Sequence, residues 1–453
     1  MTLIIDGAAL ATVDDAGTEY ASGHIVVEGE RITAIGTGPA PDVPGATVVD
    51  GRGCLVTPGL VNTHHHLYQW ATRGMSQTST LFEWLVELYP IWGRLDAEVT
   101  YAAASGGLAR LALTGCTTVA DHHYVFPADG GDLAAAVVSA ADRIGTRLHL
   151  VRGSMDRGES GGGLPPDRIV EDTDAALSAT EQTVAKYHDP AGNARVQVAV
   201  GPCSPFSVTE RLMTGAAELA RRLGVRLHTH LAETTDEDEQ CRREFGCTPV
   251  EYAEHLGWLG DDVWLAHAVH LTKDAVRTIG ASGTGTAHCP TSNARIGVGV
   301  APVSDLLAAG VPVGLGVDGA ASNESGGLAE EMHQALLFAR QRGGPTSLSP
   351  RQALWMATAG GARCLGRSAD LGSLEVGKLA DLAVWRLDGL AHAGIDDPVA
   401  ALILGAPPPL ELLLVNGRAV VERDRVLGVD EAALAADARR AHQTLLSRSG
   451  VIS

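Results

Sequence analysis

Eight short apolar segments, each with the length and composition of a β-strand, alternate with helical segments between residues 59 and 369. The helical segments, such as DLAAAVVSAADRIG, repeat apolar residues at helical spacing. The strand candidates read PGLVNTHHH, TTVADHHY, TRLHLVRGSM, ARVQVAVGPC, VRLHTHLAE, VWLAHAVHL, GTGTAHCP and VPVGLGVDG. Strands that alternate with helices pair in parallel, and eight of them close on themselves, so this region predicts a TIM-like (β/α)₈ barrel of the α/β class.

Both ends of the chain read as β structure outside this region. Residues 1–58 contain alternating segments such as GHIVVEGERITAIG, and residues 370–426 contain ELLLVNGRAVVERDRVL. We predict one small β-sandwich domain built from the two ends, followed by an Ala-rich helix over 427–453. In one barrel helix, Ser207 precedes Glu210 at capping-box spacing, which predicts a helix start at Ser207.

The composition excludes several classes of partner. A formal net charge of -20 disfavours nucleic acid and anionic membranes, because phosphate binding requires basic patches. No apolar run approaches the roughly 20 residues of a membrane span, and the N-terminus lacks the basic segment of a signal peptide. The 7 cysteines are scattered and form no CxxC pair. We therefore predict a cytoplasmic protein without disulfides that binds neither nucleic acid nor membrane.

Three consecutive histidines end the first strand candidate. Alternate residues of a strand share a face, so His64 and His66 point the same way. At the carboxyl end of a barrel strand, the inward face opens onto the mouth where barrel enzymes place their active sites. Two imidazoles that converge there form half of a metal site, although the same pair alone is equally compatible with packed core histidines.

Ionisable residues recur at the same level of other strands. His230 ends the fifth strand candidate and Asp318 ends the eighth. Buried ionisable groups are expensive unless they are paired or bound to metal. We predict one divalent ion held by His64, His66, His230 and Asp318, with Zn²⁺ as the first choice and Fe²⁺ as the alternative. The fourth strand candidate offers no Lys or Glu to bridge a second ion.

Two more residues are placed to handle protons. A metal ion lowers the pKa of a coordinated water from about 15.7 to about 7, so hydroxide becomes available at neutral pH. Glu233, three residues after His230, is predicted to move the proton, and a salt bridge at the rim is the weaker reading. His267 is predicted to stabilise the developing charge, and Asp318 counts as catalytic as well as ligating. Two further histidines are predicted to support the ligands or to pack in the core, His228 and His288.

Together, the segments PGLVNTHHH, HTHLAE, LAHAVH, AHCPTSN and GVDGAASN resemble the amidohydrolase superfamily, in its branch of aromatic-heterocycle deaminases and s-triazine hydrolases. The resemblance covers essentially the whole chain. Finer features, among them NTHHHLYQ, ELYPIW and GPCSPFSVT, are most like the 8-oxoguanine deaminases. This resemblance implies a metal-bearing barrel with a β-sandwich, a homo-oligomer, and hydrolytic loss of ammonia from a purine-like ring.

The resemblance also implies residues that contact the substrate. Gln69 and Cys203 match positions directed at the purine, and a carboxamide offers both a donor and an acceptor to a lactam edge. Without the resemblance, Cys203 reads as a small buried apolar residue. Trp92 is predicted to stack on the ring, with core packing as an equal alternative. Trp70 and the doubled histidine His122–His123 depart from the family pattern, which leaves the exact ring open.

The sequence therefore predicts a deaminase that converts 8-oxoguanine to urate and ammonia. Guanine, isoxanthopterin or another pterin, and a hydroxylated or chlorinated s-triazine are alternative substrates. The segment GLGVDG matches a dinucleotide-binding pattern, but the following helix begins too late for that function. An inactive barrel scaffold is a remote alternative, because all six chemical positions are retained.

Overall fold

The computed structural model describes residues 2–451, and its N-terminal part is a β structure. The five strands are β1 (Thr2–Ala11), β2 (Glu19–Glu28), β3 (Arg31–Thr37), β4 (Thr47–Asp50) and β5 (Cys54–Pro58). Strands β1, β2 and β3 pair antiparallel in sequence order. The first half of β1 pairs in parallel with β4, and its second half pairs in parallel with β5. The long strand β1 therefore pairs with two later strands, which follow each other along its length.

Eight of the following strands form a closed parallel barrel, which confirms the predicted (β/α)₈ fold. They are β6 (Leu60–Asn62), β8 (Cys116–His123), β9 (Arg147–Ser154), β10 (Val196–Pro202), β11 (Leu227–Leu231), β12 (Val263–His267), β13 (Gly285–His288) and β14 (Val313–Leu315). The barrel closes where β14 pairs with β6. Beyond this closure, β7 (His65–His66) and β15 (Asp318–Gly319) form a separate two-residue parallel ladder. The predicted ligand positions of the first and eighth strands thus lie side by side above the barrel.

Helices connect the barrel strands and follow the last of them. They are α1 (Leu81–Trp92), α2 (Ala97–Leu113), α3 (Leu133–Ile144), α4 (Thr173–Tyr187), α5 (Glu210–Leu223), α6 (Thr235–Phe245), α7 (Pro249–His255), α8 (Lys273–Ser282), α9 (Pro290–Arg295), α10 (Val303–Ala308), α11 (Leu328–Gly343), α12 (Pro350–Trp355) and α13 (Gly361–Cys364). The predicted capping box at Ser207 is wrong. Helix α5 is capped by Thr209, whose hydroxyl accepts from Leu212 N at 3.2 Å, because the hydroxyl of Ser207 is engaged within its own turn with Ser204.

The end of the chain returns to the first sheet. Helix α14 (Pro398–Leu404) and strands β16 (Leu382–Arg386), β17 (Leu410–Val415), β18 (Arg418–Glu422) and β19 (Arg425–Val426) precede the last helix, α15 (Glu431–Arg448). Strand β16 pairs antiparallel with β5, which joins both chain ends in one nine-stranded mixed sheet. Its core contains residues from both ends, such as Ile5, Ile25, Leu382 and Leu414. The predicted β domain from the two ends is confirmed.

A buried ion pair connects the barrel to this sheet. Arg147, the first residue of β9, donates to both carboxylate oxygens of Asp381 at 2.7 and 2.9 Å. A further Arg147 N–H donates to the carbonyl of Ala194 at 2.8 Å. Because the guanidinium is fully buried, this fork fixes the orientation of the two layers. Within the described residues, no helix has both the length and the apolar composition needed to cross a membrane.

Candidate active site

The carboxyl ends of three barrel strands carry unusual backbone conformations. Ala232, His267 and Asp318 have φ values of 54°, 73° and 64°. Left-handed conformations are uncommon for residues other than glycine, and they cluster where function requires a special backbone path. All three lie directly at, or one residue from, positions that the sequence predicts to be functional.

The four predicted metal ligands meet above the barrel. The Nε2 atom of His66 lies 3.1 Å from Nε2 of His230 and 3.2 Å from Oδ1 of Asp318. The Nε2 atom of His64 lies 3.4 Å from the same carboxylate oxygen. All four side chains are buried. We call these three Nε2 atoms and the Asp318 carboxylate the acceptor cluster.

Main-chain carbonyls orient two of the imidazoles. The Nδ1 atom of His66 lies 2.6 Å from the carbonyl oxygen of His122, and Nδ1 of His230 lies 2.6 Å from that of Cys203. A carbonyl oxygen can only accept, so both Nδ1 atoms carry the proton. When the rings of His66 and His230 are neutral, each Nε2 atom is therefore unprotonated and offers a lone pair.

The third imidazole is oriented through another histidine. The Nδ1 atom of His228 donates to the carbonyl of Trp264 at 2.8 Å, so its Nε2 is the acceptor in the neutral ring. This Nε2 lies 2.7 Å from Nδ1 of His64, which must donate to it. The chain His64–His228–Trp264 therefore leaves Nε2 of His64 unprotonated. The predicted supporting residue His228 thus contacts a predicted ligand directly.

The acceptor cluster is suited to a cation. Burial lowers the pKa of His64 and of His230 well below the usual value, so both rings are neutral. Lone pairs that face each other within 3.4 Å repel unless a positive charge lies among them. Three imidazole nitrogens and one carboxylate are a donor set that Zn²⁺ and Fe²⁺ accept.

The predicted proton-handling residues adjoin this cluster. An oxygen of Glu233 lies 3.6 Å from Nε2 of His267, and the same nitrogen lies 4.0 Å from Oδ2 of Asp318. Burial, reinforced by the charge of Asp318, raises the pKa of Glu233 well above its usual value. Its carboxyl can therefore hold a proton at neutral pH. On the other side of the ring, Nδ1 of His267 donates to Oδ1 of Asn293 at 2.9 Å, which fixes the imidazole plane.

A small cavity opens beside the acceptor cluster. Two of the three predicted substrate contacts, Gln69 and Cys203, lie in its wall. The Oε1 atom of Gln69 is buried without a partner, and a Cβ at position 319 would collide with it, so Gly319 makes room for the amide. Burial raises the pKa of the Cys203 thiol to about 12, which keeps it neutral. The rest of the wall is formed by His66, Leu81, Trp84, Leu85, Tyr89, Tyr124, Phe206, His230, Glu233, His267, Ile296, Asp318 and Ser322.

The structure does not bring Trp92 to the cavity, which corrects its predicted contact with substrate. Its indole N–H donates to the hydroxyl of Thr72 at 3.0 Å, and its ring packs edge-on against Tyr68 and Trp84. Trp92 is the last residue of α1, one turn beyond Tyr89. Its side chain faces Thr72, in the segment that precedes the helix, rather than the cavity. Trp84, which the sequence analysis did not single out, is the tryptophan of the wall.

The other predicted supporting residue lies apart from the acceptor cluster. His288 lines a second cavity with Phe338, and its Nδ1 has no partner. Burial lowers the pKa of His288 to about 3, so the ring is neutral. Sequence reasoning missed two residues of the same HCPTSN segment. Asn293 orients His267, and the hydroxyl of Ser292 donates to Oδ2 of Asp318 at 2.6 Å.

Comparisons with known proteins agree with this geometry. The profile of the amidohydrolase family matches residues 55–420. The chain is 45% identical to 8-oxoguanine deaminase of Pseudomonas aeruginosa over 97% of this chain and 98% of that protein. It is 37% identical to isoxanthopterin deaminase from an unknown prokaryotic organism, over 98% and 97% of the two chains.

A solved structure extends the agreement to three dimensions. Atrazine chlorohydrolase TrzN from Arthrobacter aurescens TC1, complexed with zinc, superposes with a TM-score of 0.92 at 35% identity. The superposition covers 97% of this chain and all of that one. The chain is thus a hydrolase that acts on C–N bonds, and it belongs to the amidohydrolase family, in the metal-dependent branch that contains the heterocycle deaminases.

Proposed function

We propose that the protein removes the exocyclic amine of 8-oxoguanine by hydrolysis and releases urate and ammonia. One water is consumed, the carbon–nitrogen bond to the amine breaks, and a carbon–oxygen bond takes its place. The observation that carries this proposal is the position of Glu233. It is a buried carboxyl of raised pKa in the wall of a small cavity, next to a cluster of metal-ligand type.

Each residue of the site has a separate proposed role. His64, His66, His230 and Asp318 would hold a divalent ion, which supplies an activated water at neutral pH. Glu233 would accept a proton from that water and return it to the ring nitrogen and the departing amine. His267 would hydrogen-bond the oxygen added to the attacked carbon, because its Nε2 lies 3.6 Å from Glu233 and 4.0 Å from Asp318.

The wall of the cavity favours a neutral flat ring. Among its described lining residues there is no Lys or Arg, the side chains that most often bind a phosphate. Beyond the acceptor cluster, the wall offers the amide of Gln69, the thiol of Cys203 and the hydroxyl of Tyr89, whose oxygen has no partner. Trp84 and Phe206 add aromatic surface. A purine with two lactam edges can use the amide as both donor and acceptor.

Support for the particular substrate comes from the relative at 45% identity, which carries the name 8-oxoguanine deaminase. Isoxanthopterin is the second candidate, because the relative named for it is also similar over nearly the whole chain and the ring presents the same amino-pyrimidinone edge. We propose zinc as the ion, since the solved relative was complexed with zinc. The seven free cysteines support the proposed cytoplasmic location.

The test is ammonia release from 8-oxoguanine, guanine, isoxanthopterin and an aminohydroxy-s-triazine, with protein of measured zinc and iron content. The proposal expects kcat/KM to be highest for 8-oxoguanine. Preference for another of these rings would keep the chemistry and overturn the substrate. Release from none of them by metal-loaded protein would overturn the proposed function.

A further inference from the structure

Glu237 is a buried acid that the proposed chemistry does not use. Only 1% of its surface is exposed, although it lies in the first turn of helix α6. Buried carboxylates are costly and are normally satisfied by a cation. Here main-chain N–H groups satisfy it: the N–H of Ala232 donates to one oxygen at 2.9 Å, and that of Glu233 donates to the other at 2.9 Å.

The two N–H groups form an anion-binding concavity. Ala232 has left-handed φ, and successive N–H groups around such a residue converge on one point. The carboxylate of Glu237 lies at that point and bonds both groups. It therefore stabilises a strained backbone conformation that places the next side chain, Glu233, in the cavity wall.

The same segment is held from its other side. The carbonyl oxygen of Ala232 accepts from the N–H groups of Val269 and His270, each at 2.9 Å. These two residues directly follow the turn that begins at His267. The backbone next to Glu233 is thus fixed between the carboxylate of Glu237 and the loop that carries His267, and the two reacting side chains lie 3.6 Å apart.

Helix capping does not account for Glu237. The hydroxyl of Thr234 already caps α6, because it accepts from the N–H of Glu237 at 3.1 Å. In a capping box, the glutamate would bond the N–H of the cap residue itself. The carboxylate of Glu237 instead bonds the two residues that precede the cap.

We propose that Glu237 is a positioning residue, which holds the Glu233 carboxyl in the place where it transfers protons. This inference rests on the proposed function. An uncharged amide has a single acceptor oxygen, so Glu237→Gln would place an NH₂ group against one of the two N–H groups. The segment from Ala232 to Thr234 should then relax, whereas the cavity wall at Gln69 and Cys203 is unchanged.

The test compares Glu237→Gln with Glu239→Gln, the same chemical change at an exposed position of α6. We expect kcat of Glu237→Gln to fall by about 10- to 100-fold, as for a displacement of about 1 Å at a reacting group, with little change in KM or metal content. Glu237→Asp keeps the charge and should recover part of kcat. A crystal structure of Glu237→Gln should show a displaced Glu233. Glu239→Gln should match the unaltered protein.

Two results would overturn the inference: unchanged kcat in Glu237→Gln, or an undisplaced Glu233 in its crystal structure. If Glu237→Gln does not fold, Glu237→Asp decides by the same measurements: kcat should lie below that of the unaltered protein, and an equal kcat would overturn the inference. Failure of the proposed function is distinguishable, because the unaltered protein would then release no ammonia while the crystallographic comparison still decides the role of Glu237.

Discussion

Replacing His228 tests whether the acceptor cluster is preorganised for a metal. In His228→Phe, the ring remains available to stack on Trp264, whose ring centroid lies 4.4 Å away, but the acceptor for His64 is lost. The N–H at Nδ1 of His64 then faces an apolar edge inside the barrel. The ring of His64 is fully buried, so no solvent can replace the lost acceptor.

The expected loss follows from that hydrogen bond. A buried donor left without a partner costs about 1–3 kcal/mol. At about 1.4 kcal/mol per tenfold change in an equilibrium constant, metal binding should weaken by about 5- to 150-fold. Loss of a partner that orients a metal-ligating histidine typically costs about 10–100-fold in affinity, in agreement with this range.

Competition with a chromophoric chelator at fixed pH measures the zinc dissociation constant. His149→Phe is the matched control, because His149 is another buried imidazole that packs on Trp264 and its nitrogens bond none of the predicted ligands. His228→Gln should recover affinity, since its amide oxygen can accept from His64. Unchanged zinc affinity in His228→Phe, or an equal loss in His149→Phe, would refute the reasoning.

Three further changes probe other parts of the site. Glu233→Gln should retain metal and lose turnover by about 10⁴-fold or more, because each proton transfer contributes about 10²–10⁴; substantial activity would disprove the shuttle role. Gln69→Leu should raise KM for 8-oxoguanine more than it lowers kcat, and an unchanged KM would remove Gln69 from the binding wall. Glu331, which accepts from Asn323 at 2.8 Å and from Thr291 N at 3.1 Å, has its pKa raised by burial from 4.5 to about 7. The protonated Glu331 carboxyl stabilises the folded protein below pH 4.5, and this contribution is lost as the pH rises through about 7. Between these two pH values, the free energy of unfolding of Glu331→Gln should therefore rise by about 3 kcal/mol relative to that of the unaltered protein. Thermal unfolding at pH 5 and 8 measures this, and a difference that does not change with pH would contradict it.

The barrel could be predicted because each strand combines an apolar run with a polar end. The lengths of the first and eighth barrel strands could not be predicted from the sequence. Strands β6 and β14 have three residues each, since the chain leaves the barrel ladder beside Thr63, whose hydroxyl donates to the carbonyl of Leu315 at 2.8 Å. That departure depends on a contact between distant parts of the chain, and no local pattern records it.

The predicted ligands could be found because strand geometry relates residues two apart, as for His64 and His66. The residues that orient them depend on distances across the fold, as between His267 and Asn293. Glu237 could be identified from the sequence only in part. Its spacing from Thr234 is that of a capping box, but only the structure shows that the carboxylate bonds the residues before the cap.

The sheet made from both chain ends has a consequence for synthesis on the ribosome. Thr57 in β5 pairs with Ala383 in β16, so the N-terminal strands emerge long before their partners exist. At about 5–20 residues per second, this delay lasts on the order of tens of seconds. During that time, β5 presents an unpaired edge of apolar residues, which invites pairing with other chains. Nascent chains of this protein should therefore need protection by chaperones until the last strands are made, and truncation before β16 should yield aggregates rather than an isolated barrel.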